Sequence, residues 1–209
     1  MLERFIGWIK LFFAKCRETP MPAAEQHNAD RFLYFGYGSN MLTRRLVDPR
    51  RAPSARALGV GWIEKHKLTF DKISRGTRQN SGKCDMEATG RDEDRVYGVL
   101  FSISRQDEAS LDREEGLDRG YRKDRQVRVL TADGEKTAVA YIATEKDPAL
   151  LPYHWYRNFV VEGALEHGLP DDYVTWLRTF QSQPDPDRRR REENERILGE
   201  HRAAAKSRA

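Results

Sequence analysis

An aromatic strand that runs without a break into a glycine turn constrains this chain more than any other feature. Phe32-Leu33-Tyr34-Phe35-Gly36 is apolar enough for a buried strand, Tyr37-Gly38-Ser39-Asn40 follows it, and residues 41–47 carry a short helical pattern. The two glycines permit a tight turn and a close approach of a ligand to the main chain. Ser39 and Asn40 are residue types that cap helix starts, so free N–H groups should point into the turn. Such a turn suits a carboxylate or a developing oxyanion. A dinucleotide fingerprint would need a third glycine at position 41, which is Met. No phosphate-binding Gly-Lys-Ser/Thr follows either. On this segment alone, an anion site and a plain strand-to-helix turn both stay open.

A chain of 209 residues fits one domain with tails. Charged residues make up 33% and mean hydropathy is −0.81, yet aromatics reach 10%, so the middle can build a core while the ends look solvated. Lys and Arg number 37 against 33 Asp and Glu, a net charge of +4. Signs this nearly balanced give no clustered basic face, so no nucleic-acid partner is expected. Cys16 and Cys84 have no paired spacing and build neither a disulfide framework nor a zinc site. That usage fits a reducing cytosol, and a cytoplasmic location is the expectation. His27, His66, His154, His167 and His201 are scattered, so no metal site is expected.

Residues 1–31 read as an N-terminal extension. Phe5, Ile6, Trp8, Ile9, Leu11, Phe12 and Phe13 form a greasy run interrupted by Lys10, far short of the roughly 20 apolar residues a membrane span needs. Lys10 and the lack of a small-x-small site argue against a signal peptide. A short docked amphipathic helix is the favoured reading. A weak membrane-surface contact through residues 1–15 and a true start at Met21 stay open.

Residues 32–183 read as the folded domain. Residues 57–74 fit one long strand or a hairpin, 75–83 an exposed loop, and 86–89 and 95–103 further strands. Residues 126–130 and 137–144 flank Ala132-Asp133-Gly134-Glu135, a strong hairpin signal. Ser104 followed by Asp107 resembles a capping box and opens a helix that stops at Gly116. A second helical zone, 152–167, carries Trp155, Phe159 and Glu162 and stops at Gly168; Pro170 opens a third, to about Phe180. Residues 184–209 form a charged tail, helical or disordered, with eight basic and six acidic residues and no apolar stripe. Its arginines 188–191 can pair at i,i+4 with Glu192, Glu193 and Glu195 on a solvated helix.

The second informative stretch is Leu111-Asp112-Arg113-Glu114-Glu115-Gly116. Leu111 and Glu115 are four apart and share a helix face, so a core-facing Leu111 draws Glu115 inward at the helix end. Partial desolvation, the neighbours Asp112 and Glu114, and the negative end of the helix dipole would all favour its neutral acid. A general acid/base working near neutral pH needs that environment. A solvated acidic helix end is the competing reading of this motif by itself.

Together the two stretches resemble the gamma-glutamylcyclotransferase family. Its Tyr-Gly-Ser-Asn turn is similar to Tyr37-Gly38-Ser39-Asn40, its Glu-Gly pair to Glu115-Gly116, and its Gly-Ala…Gly-Leu-Pro junction to Gly163-Ala164 with Gly168-Leu169-Pro170. The match runs in order from about Phe32 to Tyr173. The resemblance implies a mixed α/β (α+β) fold, a small, partly closed, mostly antiparallel β-barrel with helices around it. It implies an enzyme that closes a gamma-glutamyl amide on its own alpha-amine, releasing 5-oxoproline and an amino acid or amine without metal or cofactor. Glu115 carries over as the catalytic general acid/base, because it directly precedes glycine. Tyr34, Phe35, Gly36, Tyr37, Gly38, Ser39, Asn40 and Tyr141 carry over as substrate-binding residues. Asn40 is similar to the branch taking gamma-glutamyl-amino acids, where branches acting on glutathione or gamma-glutamylamines have Leu after the turn. Residues 75–94 depart from the pattern of vertebrate-like members, so the leaving group stays open. The implied partner is a small gamma-glutamyl compound, and a homodimer stays open. The reading from another class is a catalytically silent module that binds a gamma-glutamyl metabolite.

Overall fold

A computed structural model describes residues 30–75 and 79–207. The expected N-terminal helix, its membrane-surface contact and the Met21 start lie outside these residues. Among the described residues no helix is long and apolar enough to cross a membrane.

The aromatic run forms β1 (Arg31–Gly36), which pairs along its whole length with antiparallel β5 (Arg95–Ser104). The other edge of β5 takes β2 (Arg56–Glu64), and β2 in turn takes β6 (Tyr121–Thr131). β6 and β7 (Gly134–Ala143) make the hairpin expected around Asp133-Gly134. β7 then meets β1 in parallel at Val139 and Tyr34, closing a barrel in the order β1-β5-β2-β6-β7. The barrel is mostly antiparallel, as the resemblance implied, and it is fully rather than partly closed. Closure removes the exposed strand edges that an open sheet would leave.

Two stretches depart from the sequence reading. Residues 57–74 are neither one strand nor a hairpin. Lys65, at φ 60°, turns the chain, and β3 (His66–Ser74) leaves the barrel to pair with β4 (Ser81–Ala88) in a separate two-stranded sheet. The loop expected over 75–83 gives way to β4 from Ser81 onward, with Ser81 and Gly82 buried. Its Ser-Gly-Lys composition reads as loop, yet Gly82 is there for close approach: a β carbon would sit 1.8 Å from the Phe70 carbonyl oxygen.

Ser104 caps the next helix through its hydroxyl, which accepts from the Gln106 N–H at 3.3 Å. The capping box is not completed, because Asp107 accepts from the Ser54 N–H while the Ser104 N–H donates to Ser54 Oγ, both at 2.9 Å. After a 3-10 turn, α2 (Glu108–Glu115) runs to Gly116, whose left-handed conformation ends it. The short α1 (Thr43–Leu46) follows the opening turn, as the sequence indicated.

Helix α3 (His154–Glu166) buries Trp155, Tyr156, Phe159, Val160 and Ala164. Gly163 on this helix meets the chain at the opening turn, where a β carbon would come within 2.4 Å of the Leu42 nitrogen. Gly163→Ala is therefore expected to cost about 1–3 kcal/mol of stability by overpacking. In urea the midpoint should fall with little change in slope; an unchanged midpoint would mean the helix can back away freely.

Helix α4 (Asp171–Thr179) follows Pro170, and α5 (Arg188–Lys206) ends the described chain. The expected i,i+4 pairing is present at Arg188–Glu192, but α5 is not simply solvated. It lies against α3 and α1, burying Asn194 and Leu198. Its start is anchored by Asp185, 1% exposed, which takes hydrogen bonds from Arg190 and from Trp155 of α3.

Candidate active site

The opening turn and the end of α2 face each other, although they are 75 residues apart in sequence. Asn40 Nδ2 donates to Glu115 Oε1 and also lies 3.2 Å from the Tyr34 hydroxyl. The Tyr34 hydroxyl donates to the same carboxylate oxygen at 3.4 Å. Strand β1 delivers Tyr34, the 3-10 turn Ser39–Met41 delivers Asn40, and Gly116 ends α2 with Glu115 as its last residue. Leu111, fully buried one turn earlier, fixes that helix face against the core. Around these groups lies a small cavity of about 30 Å³, lined also by Tyr37, Gly38, Ser39 and Tyr141.

The like charges counted around Glu115 in the sequence are each met by a cation. Asp112 pairs with Lys123 at 2.7 Å and accepts from the Tyr141 hydroxyl, while Glu114 pairs with Arg51 at 3.2 Å. Glu115 itself has no cation at ion-pair distance among the described residues. Among those residues its carboxylate is held by two neutral donors, Asn40 and Tyr34.

Residues 95–177 match the AIG2-like family. A relative from Homo sapiens named gamma-glutamylcyclotransferase is 32% identical over 169 residues, covering 79% of this chain and 85% of its own length. The chain belongs to the gamma-glutamylcyclotransferase family. A relative of the same name from Mus musculus is 32% identical over 155 residues, covering 73% of this chain and 80% of its own. A solved structure described as gamma-glutamyl cyclotransferase superposes with a TM-score of 0.72 at 30% identity, covering 81% of this chain and 99% of that one.

In this gamma-glutamylcyclotransferase family member, two of the carried-over residues stand outside the cavity. Phe35 has no exposed surface and packs against Gly98 and Tyr37, because strand alternation sends it to the face opposite Tyr34. Gly36 sits beneath the rings of Tyr34 and Phe101 and does not line the cavity. Ser39 and Asn40 do not cap the turn through their side chains; Gly38 occupies the N-cap position. The Asn40 amide is drawn to Glu115, and the Ser39 hydroxyl accepts from Arg45 Nε at 3.2 Å. Main-chain N–H groups at the start of such a turn have no carbonyl one turn earlier to bond.

Three wall residues of the cavity were not among the site residues expected from the sequence: Cys84, Tyr121 and Tyr156. Tyr121 donates to the Cys84 carbonyl oxygen at 2.6 Å, and the Tyr156 hydroxyl accepts from the Cys84 N–H at 3.1 Å. A tyrosine on the buried face of α3 must find a polar partner for its hydroxyl, which was the one signal available for Tyr156. Burial pushes the Cys84 thiol well up, so it offers no thiolate nucleophile. Burial first, and the nearby carboxylates second, also push Tyr34 and Tyr37 up. These hydroxyls stay protonated donors: Tyr37 to the Tyr141 carbonyl oxygen and Tyr34 to Glu115.

Proposed function

We propose that this protein is a gamma-glutamylcyclotransferase that converts gamma-glutamyl-amino acids, or related gamma-glutamyl amides, to 5-oxoproline and the free amino acid or amine. The observation that carries the reading is the junction of Asn40 and Tyr34 with the Glu115 carboxylate inside one small cavity. A gamma-glutamyl amide brings its own nucleophile. Glu115 takes a proton from the alpha-ammonium, and the freed amine attacks the gamma-carbonyl to close a five-membered ring. The cavity holds the chain folded for that attack, which supplies an intramolecular advantage. The tetrahedral oxygen is met by main-chain N–H groups of residues 38–40. Glu115 then returns the proton to the departing nitrogen, the carbon–nitrogen bond breaks as the oxyanion reforms the carbonyl, and the ring nitrogen gives its second proton to the freed amine.

Asn40 and Tyr34 aim the carboxylate, while Tyr37 and Tyr141 shape the walls. The sequence of steps needs a base, a folded substrate and hydrogen-bond donors, so it calls on no metal or cofactor. On this reading residues 32–183 are the catalytic domain, flanked by the 1–31 extension and the 184–209 tail, in a cytoplasmic protein of glutathione-type metabolism. The test is 5-oxoproline release from gamma-glutamyl-L-alanine, glutathione and a gamma-glutamyl-alkylamine, each also with its alpha-amine acetylated. Only the free-amine forms should react. Turnover of an acetylated form would rule out attack by the alpha-amine, and binding without turnover across the panel would favour a silent metabolite-binding module.

A further inference from the structure

The cavity holds one carboxylate, Glu115, and among the described residues no lysine or arginine lines it. A guest with an anionic group must therefore be met there by neutral donors, main-chain N–H groups or hydroxyls. Most hydroxyl protons on the walls are already committed. Tyr34 donates to Glu115, Tyr37 to the Tyr141 carbonyl oxygen, Tyr121 to the Cys84 carbonyl oxygen and Tyr141 to Asp112. Those of Ser39 and Tyr156 remain, and the Ser39 hydroxyl has a cation behind it.

Arg45 on α1 donates from Nε to Ser39 Oγ at 3.2 Å and from Nη1 to Asn194 Oδ1 of α5 at 3.4 Å. Its guanidinium lies 4.8 Å from the centre of the Phe159 ring on α3. No carboxylate stands at ion-pair distance from Arg45 among the described residues. Burial, then the charge of Arg51, lower the guanidinium from its ordinary value, while Tyr156, Glu115 and Glu114 act to raise it. Glu114 is paired with Arg51, and Glu115 is held by Asn40 and Tyr34. Lys72 and Lys123 also approach the walls, but over the rings of Tyr121 and Tyr141 rather than at a hydroxyl. A hydroxyl has one proton and two lone pairs, so with Arg45 at its oxygen Ser39 must turn its proton away. Ser39 is 8% exposed, and the groups it can meet are the Tyr156 hydroxyl beside it and a guest in the cavity. A charged donor at the oxygen also strengthens the bond that the proton makes.

Resting on the cyclotransferase reading, we propose that Arg45 is a positioning residue that holds the Ser39 hydroxyl as a hydrogen-bond donor to the substrate's alpha-carboxylate. Arg45 does not touch the substrate and acts through Ser39. The alpha-carboxylate is the permanent anion of the glutamyl group, so a donor backed by a fixed cation suits it. The developing oxyanion is left to the main-chain N–H groups. Asn194 ties the same guanidinium to α5, so the docked C-terminal helix bears on how the glutamyl group is held. The competing role is structural, with Arg45 only clamping Phe159 of α3 to α5.

The experiment compares gamma-glutamyl-L-alanine with 4-aminobutanoyl-L-alanine, which differ only in the alpha-carboxylate. The ratio of their kcat/KM values should fall about tenfold from wild type in Ser39→Ala and in Arg45→Met, the size of a lost hydrogen bond to a charged group. Arg45→Lys keeps the charge without the planar fork and should retain part of the ratio. The double variant Ser39→Ala/Arg45→Met should fall no further than Ser39→Ala alone, because the two side chains act as one unit. Asn194→Ala should give a smaller fall, which also vanishes in the Ser39→Ala background. A purely structural role would lower turnover of both compounds alike and leave the ratio unchanged. If either single variant keeps the wild-type ratio, or the double variant loses the product of both falls, the proposal is overturned. Should Arg45→Met not fold, the same cycle with Arg45→Lys decides, since its smaller loss must vanish beside Ser39→Ala. Calorimetric binding of both compounds to the wild type and the variants separates the two readings. If neither compound yields its lactam, 5-oxoproline or pyrrolidin-2-one, the cyclotransferase reading fails. Arg45 is then still scored by whether the ratio of the two dissociation constants follows the same cycle.

Discussion

Glu115→Gln should lower kcat for 5-oxoproline release by about 10²–10⁴-fold, the range expected when a general acid/base is removed. The amide is nearly the same shape as the carboxylate, and its oxygen can still accept from Asn40 Nδ2 and the Tyr34 hydroxyl. The thermal midpoint should therefore move little, and substrate should still bind. What the amide cannot do is take up the ammonium proton, so the loss falls on kcat. Glu114→Gln is the matched control, because Glu114 points to Arg51 rather than into the cavity. It should leave kcat within about twofold, since the Glu114 side chain is 36% exposed, does not line the cavity, and ion pairs with an exposed partner contribute little. Reversed results for the two variants would mean that the wrong glutamate has been assigned.

Asp185→Ala should cost about 3 kcal/mol of stability, because it removes several hydrogen bonds to a buried carboxylate, each worth about 1.5–3 kcal/mol when a charged group takes part. The carboxylate is buried and accepts from Arg190 Nε and Nη2 at 2.7 Å, from Trp155 Nε1 at 2.8 Å, and from the Asp187 N–H at 2.9 Å. Removing it leaves the buried Trp155 indole N–H without its acceptor, while Arg190, with a 35% exposed side chain, can turn to water. For a domain of this size the melting midpoint should drop by roughly 10 °C. Burial opposes ionisation of Asp185, but the hydrogen bonds from Arg190, the Asp187 N–H and Trp155 outweigh it and hold the carboxyl below its ordinary value. The folded value is depressed, so its stabilisation is fully present above the unfolded value, about 3.9, and fades as pH falls through the folded one. The gap between wild type and variant should accordingly narrow below pH about 4. A variant that melts with the wild type would mean that α5 docks without this anchor.

The strand, the glycine turn and the β6–β7 hairpin were legible because each is a local pattern: aromatic run, Gly-x-Gly, Asp-Gly. Glu115 stayed open on its own motif and was singled out by the resemblance's Glu-Gly pair; in the fold, Leu111 and Gly116 fix its face and its place at the helix end. Cys84, Tyr121 and Tyr156 come from three separate elements, and only the tertiary arrangement brings them to one wall. Phe35 was carried over as a neighbour of true cavity residues, and strand alternation removes it. β3 was obscured by a single left-handed residue, Lys65, that redirects the chain out of the barrel, and the start of β4 by its loop-like Ser-Gly-Lys composition. The docking of α5 was hidden because it rests on one buried aspartate and a short apolar contact at Leu198, too little to show as a stripe.

The most direct test of the central claim is the identity of the glutamyl product formed from gamma-glutamyl-L-alanine by the wild-type protein. Attack by the substrate's own amine predicts 5-oxoproline and alanine in equal amounts, with no glutamate. Glutamate as the product would mean that water is the nucleophile and would contradict ring closure in the Glu115 cavity.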